Sequence, residues 1–409
     1  MKRSLNKLFL YLIQLVIETY SVLVPIILYL FEVISFWNLV TIYLVYCLYC
    51  QITSYTEISY HNESKLITNI ILQSKLKEHK FRPYFFFPST LLQTILMPLI
   101  HNPDVFSSRR EEINKYGTHI DWIELNKTIP MNECTFTNNR LLIILPGITG
   151  GTNDPYISNI AYEAVKNHYK VIIFQNRLLS TSLSFTYEGY YDLVDDFNET
   201  VSYIENNYPE YDLYAFGNSN GANGLVRFLG KYNTVGKGKQ RKNRILGAVS
   251  LANPFCMKKT EEAYKSTLYE SLLTYILHKK MDVVNHPDLI VPKELNLDLE
   301  SARNATTLNE FHRHLIMKVH GFDDLDKFYN SQRSIPYIKK IKIPTLMVNS
   351  VDDQIAHKSV FPLDDIKANK YIAFMTTKYG GHLCWIDNSS LFSLKQWPMK
   401  VGFDFLNQV

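Results

Sequence analysis

The chain carries the pentapeptide Gly217-Asn218-Ser219-Asn220-Gly221 between two segments of different character. The preceding stretch, 211–216, is a short apolar run that predicts a β-strand, and the following stretch, 222–229, predicts a helix. A serine between glycines at a sharp strand-to-helix turn is typical of a nucleophile elbow, in which the hydroxyl is left uncovered. The alternative is an ordinary strand-to-helix loop, since small residues also cluster in loops by chance, and the context favours the elbow.

Length, charge and cysteine content narrow the class of protein. A chain of 409 residues can form one large α/β domain with an extra segment, or two domains. The formal net charge of +4 gives no case for a nucleic-acid partner. The five cysteines are scattered and lack metal-ligand spacing, which indicates a reducing compartment or thiols without a role: Cys47, Cys50, Cys134, Cys256 and Cys384.

The N-terminal region predicts a membrane anchor. Residues 33–50 contain no charged side chain, and 18 such residues can just cross a bilayer. The earlier run, 8–30, carries Glu18 and Pro25 and could be a second span or an interfacial helix. The basic start of the chain favours a cytosolic N-terminus. One span would place the rest of the chain outside or in a lumen, whereas two would return it to the cytosol, and the sequence leaves this choice open.

The next region, 52–115, is more polar, and we expect a linker and lead-in with some helix. Its Pro-bounded aromatic cluster, 81–96, could dip into the lipid interface or pack beneath the following domain, and we favour packing. From residue 116 onward, strands alternate with helices, which predicts a mostly parallel sheet covered on both faces. The segments expected as strands are 116–125, 141–145, 169–174, 245–252, 344–350 and 371–375.

In a parallel sheet the active site lies at the carboxyl ends of the strands. The glycine-rich segment Pro146–Gly151 follows a buried strand but matches neither a dinucleotide-binding nor a P-loop spacing. We therefore expect an oxyanion loop, with the backbone N–H groups of Ile148 and Asn220 as the two donors. The acidic side chains of Asp192, Asp195 and Asp196 more closely fit the solvated first turn of a helix than a metal site.

Two segments after the elbow interrupt the alternation. The basic segment 231–244 is expected to be a solvated loop, with contact to anionic lipid as the alternative. Residues 256–335 contain helix-like stretches, and an insertion at this point could form a lid over the site.

An acid and a histidine complete the candidate site, because each follows a predicted strand in the chain order Ser, Asp, His. Ser219 needs a base to remove its proton, and His382 would be that base and then the acid for the leaving alcohol. A buried carboxylate must orient the histidine. We choose Asp353 over its neighbour Asp352, which we expect to support the loop, although the motif fixes only the order of the acid.

These motifs together resemble a known family. The chain resembles the membrane-anchored abhydrolase domain-containing proteins of the α/β-hydrolase superfamily, a branch with bacterial predicted hydrolases and plant embryogenesis-associated proteins. The matching segments lie within about 80–390 and include Arg82-Pro83 to Gln93-Thr94-Ile95, 116–122, 145–150, 154–157, 217–221, His320-Gly321-Phe322, 343–346, Asp352-Asp353 and 380–382. The resemblance implies an N-terminal anchor and serine hydrolase activity on acyl esters such as monoacylglycerols or phospholipids.

Departures from the family pattern concern substrate choice rather than the triad. Asn218 replaces a small or aliphatic residue, the Asn-Arg-Gly segment reads Asn176-Arg177-Leu178, and Gln354 replaces a proline. An H-x4-D pattern proposed for acyltransferases begins at His382, but this histidine is already assigned as the triad base, so the pattern discriminates little.

We therefore predict an α/β-hydrolase fold with a helical lid at about 256–335. The domains are an anchor at 1–51, a lead-in at 52–115 and a catalytic domain at 116–409. The predicted function is a serine lipase or phospholipase in the endoplasmic reticulum or another endomembrane, with the bilayer and a lipid ester as partners and no cofactor or metal. The alternatives are an acyltransferase with the same acyl-enzyme and a non-catalytic membrane scaffold. The acyl length, the head group and the oligomeric state are left open.

Overall fold

The computed structural model describes most of the chain: residues 26, 29, 35–90, 93, 106–114, 118–125, 139–148, 150–175, 192–232, 244–265, 267, 270–271, 273–278, 297–388 and 396–409. Several predictions lie outside these residues. They concern most of the apolar run 8–30, the segment 176–178, most of the basic segment 231–244 and part of the lid, 279–296.

A sheet of nine strands forms the centre of the molecule. The strands are β1 (Thr56–Tyr60), β2 (Phe106–Glu112), β3 (His119–Leu125), β4 (Arg140–Leu145), β5 (Lys170–Gln175), β6 (Asp212–Asn218), β7 (Gly247–Leu251), β8 (Thr345–Ser350) and β9 (Ile372–Thr377). Their order across the sheet is β1-β9-β8-β7-β6-β4-β5-β3-β2. The six strands from β9 to β5 are parallel, whereas β1, β3 and β2 pair antiparallel with their neighbours.

Helices cover both faces of the sheet. They are α1 (Phe36–Thr53), α2 (Lys65–Gln73), α3 (Pro155–Lys166), α4 (Leu193–Asn207), α5 (Asn220–Lys231), α6 (Met257–Tyr264), α7 (Leu299–Arg303), α8 (Leu308–Phe311), α9 (Met317–Val319), α10 (Leu325–Ser331), α11 (Ile335–Ile338), α12 (Leu363–Lys367) and α13 (Trp397–Leu406). A π-helical turn, His312–Ile316, joins α8 to α9. This arrangement confirms the predicted α/β-hydrolase fold with a mostly parallel sheet.

The central strand β4 explains why the sheet is covered on both faces. Successive side chains of a strand point to opposite faces, so Leu141 and Ile143 pack in one core cluster while Leu142 and Ile144 pack in the other. The first cluster includes the apolar stripe of α4, and the second includes α3 and α13. A continuous apolar run such as β4 is stable only when both faces are buried.

The expected lead-in, 52–115, differs from its prediction because it contributes both edge strands of the sheet. β1 pairs antiparallel with β9, and β2 pairs antiparallel with β3. The two strands were missed because Thr56–Tyr60 and Phe106–Glu112 are rich in polar residues. An edge strand exposed on one side does not require an apolar run, so its pairing is decided by the neighbouring strand.

Helix α1 is the one helix of the described residues that is long and apolar enough to cross a bilayer, judged by length and composition. Its C-terminal end lies against the catalytic domain. Gln51 donates to the Pro83 carbonyl, and the Thr53 hydroxyl lies 2.8 Å from that of Tyr379. Cys47 and Cys50 are buried on this inner face, whereas Trp37 and Val45 are exposed. Only two residues separate α1 from β1, so α1 joins the sheet without a flexible linker.

The aromatic cluster after α2 is partly buried and partly exposed. Tyr84 is buried against the domain and stacks on Phe87, whereas Phe86 is 43% exposed. The cluster therefore packs beneath the domain through one part and presents an aromatic side chain to the surroundings through another.

Candidate active site

Ser219 occupies the turn between β6 and α5 in a backbone conformation that few residues adopt. Its φ of 52° and ψ of −116° place it outside the regions favoured by L-residues. Its N–H donates to the Leu251 carbonyl at 2.8 Å, which fixes the turn to β7. The neighbouring N–H of Asn220 lies in the first turn of α5, where backbone donors have no partner within the helix.

The glycines of the elbow are required by close backbone packing. A Cβ on Gly217 would lie 2.8 Å from the Cα of Ala222, and one on Gly221 would collide with the carbonyl oxygens of Leu145 and Pro146. Asn218, which departs from the family pattern, is fully buried and donates from Nδ2 to the Leu145 carbonyl at 3.2 Å. The elbow is thereby held against the end of β4.

A chain of hydrogen bonds joins the predicted triad residues. Nε2 of His382 lies 2.8 Å from Oγ of Ser219, and Nδ1 of His382 lies 2.8 Å from Oδ2 of Asp353. Asp353 is fully buried, and its Oδ1 accepts from the backbone N–H groups of Ile355 and Ala356. Such an arrangement can pass the serine proton to the imidazole while the carboxylate stabilises the imidazolium.

Asp352 does not contact the imidazole among its described partners but holds the loop that carries it. Its Oδ1 accepts from the Ser350 hydroxyl and from the Gly381 N–H, and its Oδ2 accepts from the Thr90 hydroxyl. Burial raises the pKa of this carboxyl above its ordinary value, although these hydrogen bonds oppose the rise.

The expected oxyanion donors lie on the same side of the sheet as the triad. Ile148 and Asn220 both line the cavity that contains Ser219 and His382. The loop holding Ile148 is shaped by Tyr156, whose hydroxyl accepts from the Gly147 N–H at 3.0 Å. Burial raises the pKa of Tyr156 well above its ordinary value, so this hydroxyl stays neutral.

Two adjoining cavities lie at the candidate site and share the lining residues Ile148, Asn220, Met257, His312 and Tyr329. One contains Ser219 and His382 and is otherwise lined mainly by apolar side chains of the lid region, among them Met257, Leu277 and Leu308. The other runs along α5 and adds the polar side chains of Asn223 and Arg227 to a mainly apolar lining. Side chains from the described part of 256–335 therefore line both cavities.

The acidic residues at the start of α4 have local partners. Asp192 caps the helix by accepting from the Val194 N–H, and it pairs with Arg227 at 3.0 Å. Asp195 pairs with Lys231 at 2.9 Å. Within the described ranges, no cluster of three or more His, Cys, Asp or Glu side chains could hold a metal ion.

Sequence reasoning did not assign a role to Thr90 or Tyr156. Both lie in or beside segments that carried the family resemblance, which was the available signal. The contact of Thr90 with Asp352 joins residues 262 positions apart, so only the fold reveals it, whereas Tyr156 reaches the Gly147 N–H from nine positions along the chain.

The chain is similar to several known proteins, although no protein-family model matches it. It is 29% identical over 318 residues to the embryogenesis-associated protein EMB8 of Picea glauca, covering 75% of this chain and 68% of that protein. It is 25% identical over 304 residues to the human phospholipase ABHD3, covering 72% and 71%. It is 26% identical over 281 residues to the monoacylglycerol lipase ABHD2 of Danio rerio, covering 64% and 62%.

Among solved structures, the esterase Pf2001 of Pyrococcus furiosus matches with 16% identity and a TM-score of 0.46, covering 74% of this chain and 91% of that one. The fold and the sequence relatives define a serine ester hydrolase of the α/β-hydrolase class. Within that class, the chain is a homologue of the abhydrolase domain-containing proteins.

Proposed function

We propose that the chain is a membrane-anchored lipid ester hydrolase that works through an acyl-enzyme on Ser219. The observation that carries this proposal is the hydrogen-bonded series Ser219, His382 and Asp353 at the mouth of an apolar cavity. Relatives named as a phospholipase and a monoacylglycerol lipase support a lipid substrate.

The chemistry follows from the position of each group. His382 takes the proton of Ser219 as its Oγ attacks the ester carbonyl, and Asp353 stabilises the resulting imidazolium. The oxygen that becomes negative is placed beside the N–H groups of Ile148 and Asn220. His382 then protonates the leaving alcohol, and a water molecule activated by the same histidine releases the fatty acid and restores Ser219.

The acyl chain is assigned to the apolar cavity that contains Ser219 and His382. Its walls include Leu273, Leu277 and Leu308, and the last two are almost completely buried. Burial of each methylene contributes about 0.8 kcal/mol, so a fatty acyl chain would gain substantial binding energy here.

The membrane anchor is assigned to α1, which leads directly into the sheet. The Thr53 hydroxyl contacts that of Tyr379, three residues before His382, and Lys378 lies over the Tyr49 ring. A span attached so closely would hold the catalytic domain against the bilayer. A lipid ester could then pass from the bilayer into the cavity at Ser219. The predicted compartment is still an endomembrane, as proposed from the sequence. The side of the membrane that the catalytic domain faces is left open, as it was there.

Labelling with a fluorophosphonate probe tests the proposal directly. Membranes holding the wild-type protein should be labelled, and Ser219→Ala and His382→Ala should abolish labelling. Ser202→Ala is a matched control, because Ser202 lies on α4 away from the triad. A panel of monoacylglycerols and phospholipids should then yield free fatty acid. Absence of labelling in folded wild type would contradict the proposal and favour a scaffold. Acyl transfer to an added alcohol without hydrolysis would favour an acyltransferase.

A further inference from the structure

The loop that carries His382, which we call the histidine loop (residues 380–385), has an unusual backbone. Positive φ angles occur at four of its positions: Gly380 (140°), Gly381 (60°), Leu383 (63°) and Trp385 (42°). Side chains of L-residues rarely tolerate such angles, and they persist only where the surrounding structure holds them. The position of the imidazole is therefore decided by contacts that come from outside the loop.

Both chain neighbours of His382 are held by such contacts. On one side, the Gly381 N–H donates to Oδ1 of Asp352 at 2.9 Å. On the other side, the Leu383 carbonyl accepts from Nε2 of Gln396 at 2.7 Å. Gln396 is only 6% exposed, so water competes little for this bond. The two contacts restrict the peptide units on either side of the residue that carries the imidazole.

Thr90 completes the first of these contacts. Its hydroxyl donates to Oδ2 of Asp352, the carboxylate whose other oxygen holds Gly381. Its methyl group also closes against the loop, because a Cβ on Gly381 would lie 2.8 Å from Cγ2 of Thr90. Thr90 is 5% exposed. It therefore acts on the residue before His382 in two ways, through a hydrogen bond relayed by Asp352 and through packing.

The segment that bears Thr90 is itself fixed on two sides. Ile386, the residue after the histidine loop, donates its N–H to Oε1 of Gln93 at 3.1 Å. Gln51 of α1 donates to the Pro83 carbonyl of the same segment. A residue can position another only when its own place is fixed by further contacts, and Thr90 meets this condition.

We propose that Thr90 and Gln396 are positioning residues for His382, with Thr90 acting through Asp352. This assignment rests on the proposed function, because it takes His382 as the base for Ser219. Neither residue is among the described residues that line the cavity at Ser219, so both act on the imidazole and not on the substrate. Loss of either contact should slow the chemical step without weakening substrate binding.

Two substitutions of Thr90 separate its hydrogen bond from its packing. Thr90→Val keeps the shape but loses the hydroxyl, whereas Thr90→Ser keeps the hydroxyl. In hydrolysis of a soluble ester, Thr90→Val should lower kcat about tenfold and change KM less than about twofold, because only the orientation of the base is impaired. Thr90→Ser should stay within about threefold of the wild type in kcat. A Thr90→Val enzyme equal to the wild type, or a Thr90→Ser enzyme as slow as Thr90→Val, would overturn the proposal.

Thr200→Val is the matched control. Thr200 is fully buried, and its hydroxyl donates to the Asp196 carbonyl within α4 at 2.9 Å. The control loses a buried hydroxyl outside the histidine loop, so its kcat and KM should match those of the wild type. A tenfold loss of kcat in Thr200→Val as well would show that any buried hydroxyl has this effect, and would overturn the proposal.

Gln396→Met tests the second contact, because methionine has a similar length and no donor. We expect kcat to fall about tenfold with KM nearly unchanged. Combining Thr90→Val with Asp352→Asn should cost no more than the larger single effect, since the two residues act along one hydrogen-bonded path. Multiplied losses in that pair, or wild-type kcat in Gln396→Met, would overturn the proposal.

Hydrogen exchange of peptides covering 378–386, measured on the full chain in detergent, reports on the loop without any reaction. Exchange should be faster in Thr90→Val and in Gln396→Met than in the wild type, and unchanged in Thr200→Val. Unchanged exchange in both test variants would overturn the proposal, and if one of them does not fold, the other decides. If the wild type cleaves no ester, the proposed function fails while exchange still shows whether these residues hold the loop.

Discussion

Gly381 donates its backbone N–H to Oδ1 of Asp352 at 2.9 Å. The residues that follow these two in the chain, His382 and Asp353, are joined by a hydrogen bond between their side chains. Two consecutive acids therefore hold two consecutive residues of the histidine loop. Asp352 fixes the backbone of the loop, whereas Asp353 orients the imidazole ring.

This division predicts unequal effects of two similar substitutions. Asp353→Asn should lower kcat by about 10³- to 10⁴-fold, because the amide favours the wrong histidine tautomer. Asp352→Asn retains an oxygen that can accept from Gly381, so we expect a loss of about tenfold or less. The comparison is made from steady-state hydrolysis of a soluble ester, with labelling rates as a second measure. Equal losses in the two variants would contradict this division.

Packing at the elbow predicts that Gly221→Ala is destabilising. Its Cβ would meet the backbone carbonyls of Leu145 and Pro146, which cannot move without shifting β4. We expect the free energy of unfolding to fall by about 1–3 kcal/mol, and we expect no labelling of Ser219 by the fluorophosphonate probe. Gly151→Ala is the control, because its Cβ would lie 3.5 Å from the Gln175 side chain, an ordinary contact. Thermal unfolding in detergent measures both, and a Gly221→Ala protein as stable as the control would refute the packing argument.

His312 predicts a pH dependence of stability. Burial lowers its pKa from an ordinary value of 6.5 to about 4, so the unfolded chain binds a proton between these values and the folded chain does not. Folding stability should therefore fall as the pH falls from about 6.5 to about 4, by up to about 3 kcal/mol. His312→Gln removes this titration and can still bond the Tyr329 hydroxyl.

Unfolding midpoints at about pH 7.5 and about pH 5 measure this dependence. The midpoint of His312→Gln should change less with pH than that of the wild type, whereas His61→Gln, at a partly exposed surface position, should behave like the wild type. Parallel pH profiles for all three proteins would show that His312 does not contribute.

The acyl cavity predicts a change in chain-length preference. Leu308 is 3% exposed and lines the cavity, so Leu308→Phe should shorten it. We expect kcat/KM for long-chain esters to fall about tenfold relative to short-chain esters of the same alcohol. Leu363→Phe, at a position 40% exposed on α12, controls for general effects. An unchanged ratio of long-chain to short-chain activity would place the acyl chain elsewhere.

The anchor assignment predicts the effect of a charge in α1. Val45 lies near the middle of the helix and is 61% exposed. A lysine at the centre of a membrane span costs about 2.5–3.5 kcal/mol, so Val45→Lys should release part of the protein from membranes on alkaline extraction. Leu66→Lys, at an exposed position of α2, should not. Full retention of Val45→Lys would show that α1 is not the segment that holds the protein in the membrane.

The sequence by itself determined the elements that depend on local pattern. Buried parallel strands such as β4 are continuous apolar runs, and the elbow needs glycines on both sides of Ser219, so both could be predicted. The order Ser, Asp, His also follows from the chain. These features are local because periodicity and backbone sterics act within a few residues.

Only the tertiary structure decided what depends on contacts between distant segments. The polar strand β1 is a strand because β9 offers it an edge, and Thr90 meets Asp352 across 262 positions of sequence. The sequence ranked Asp353 above Asp352, but their separate partners, His382 and Gly381, are set by the fold. The buried Arg227 guanidinium likewise meets Asp192 and Gln332 only in the folded chain, because burial is a property of the packed molecule and not of the residue.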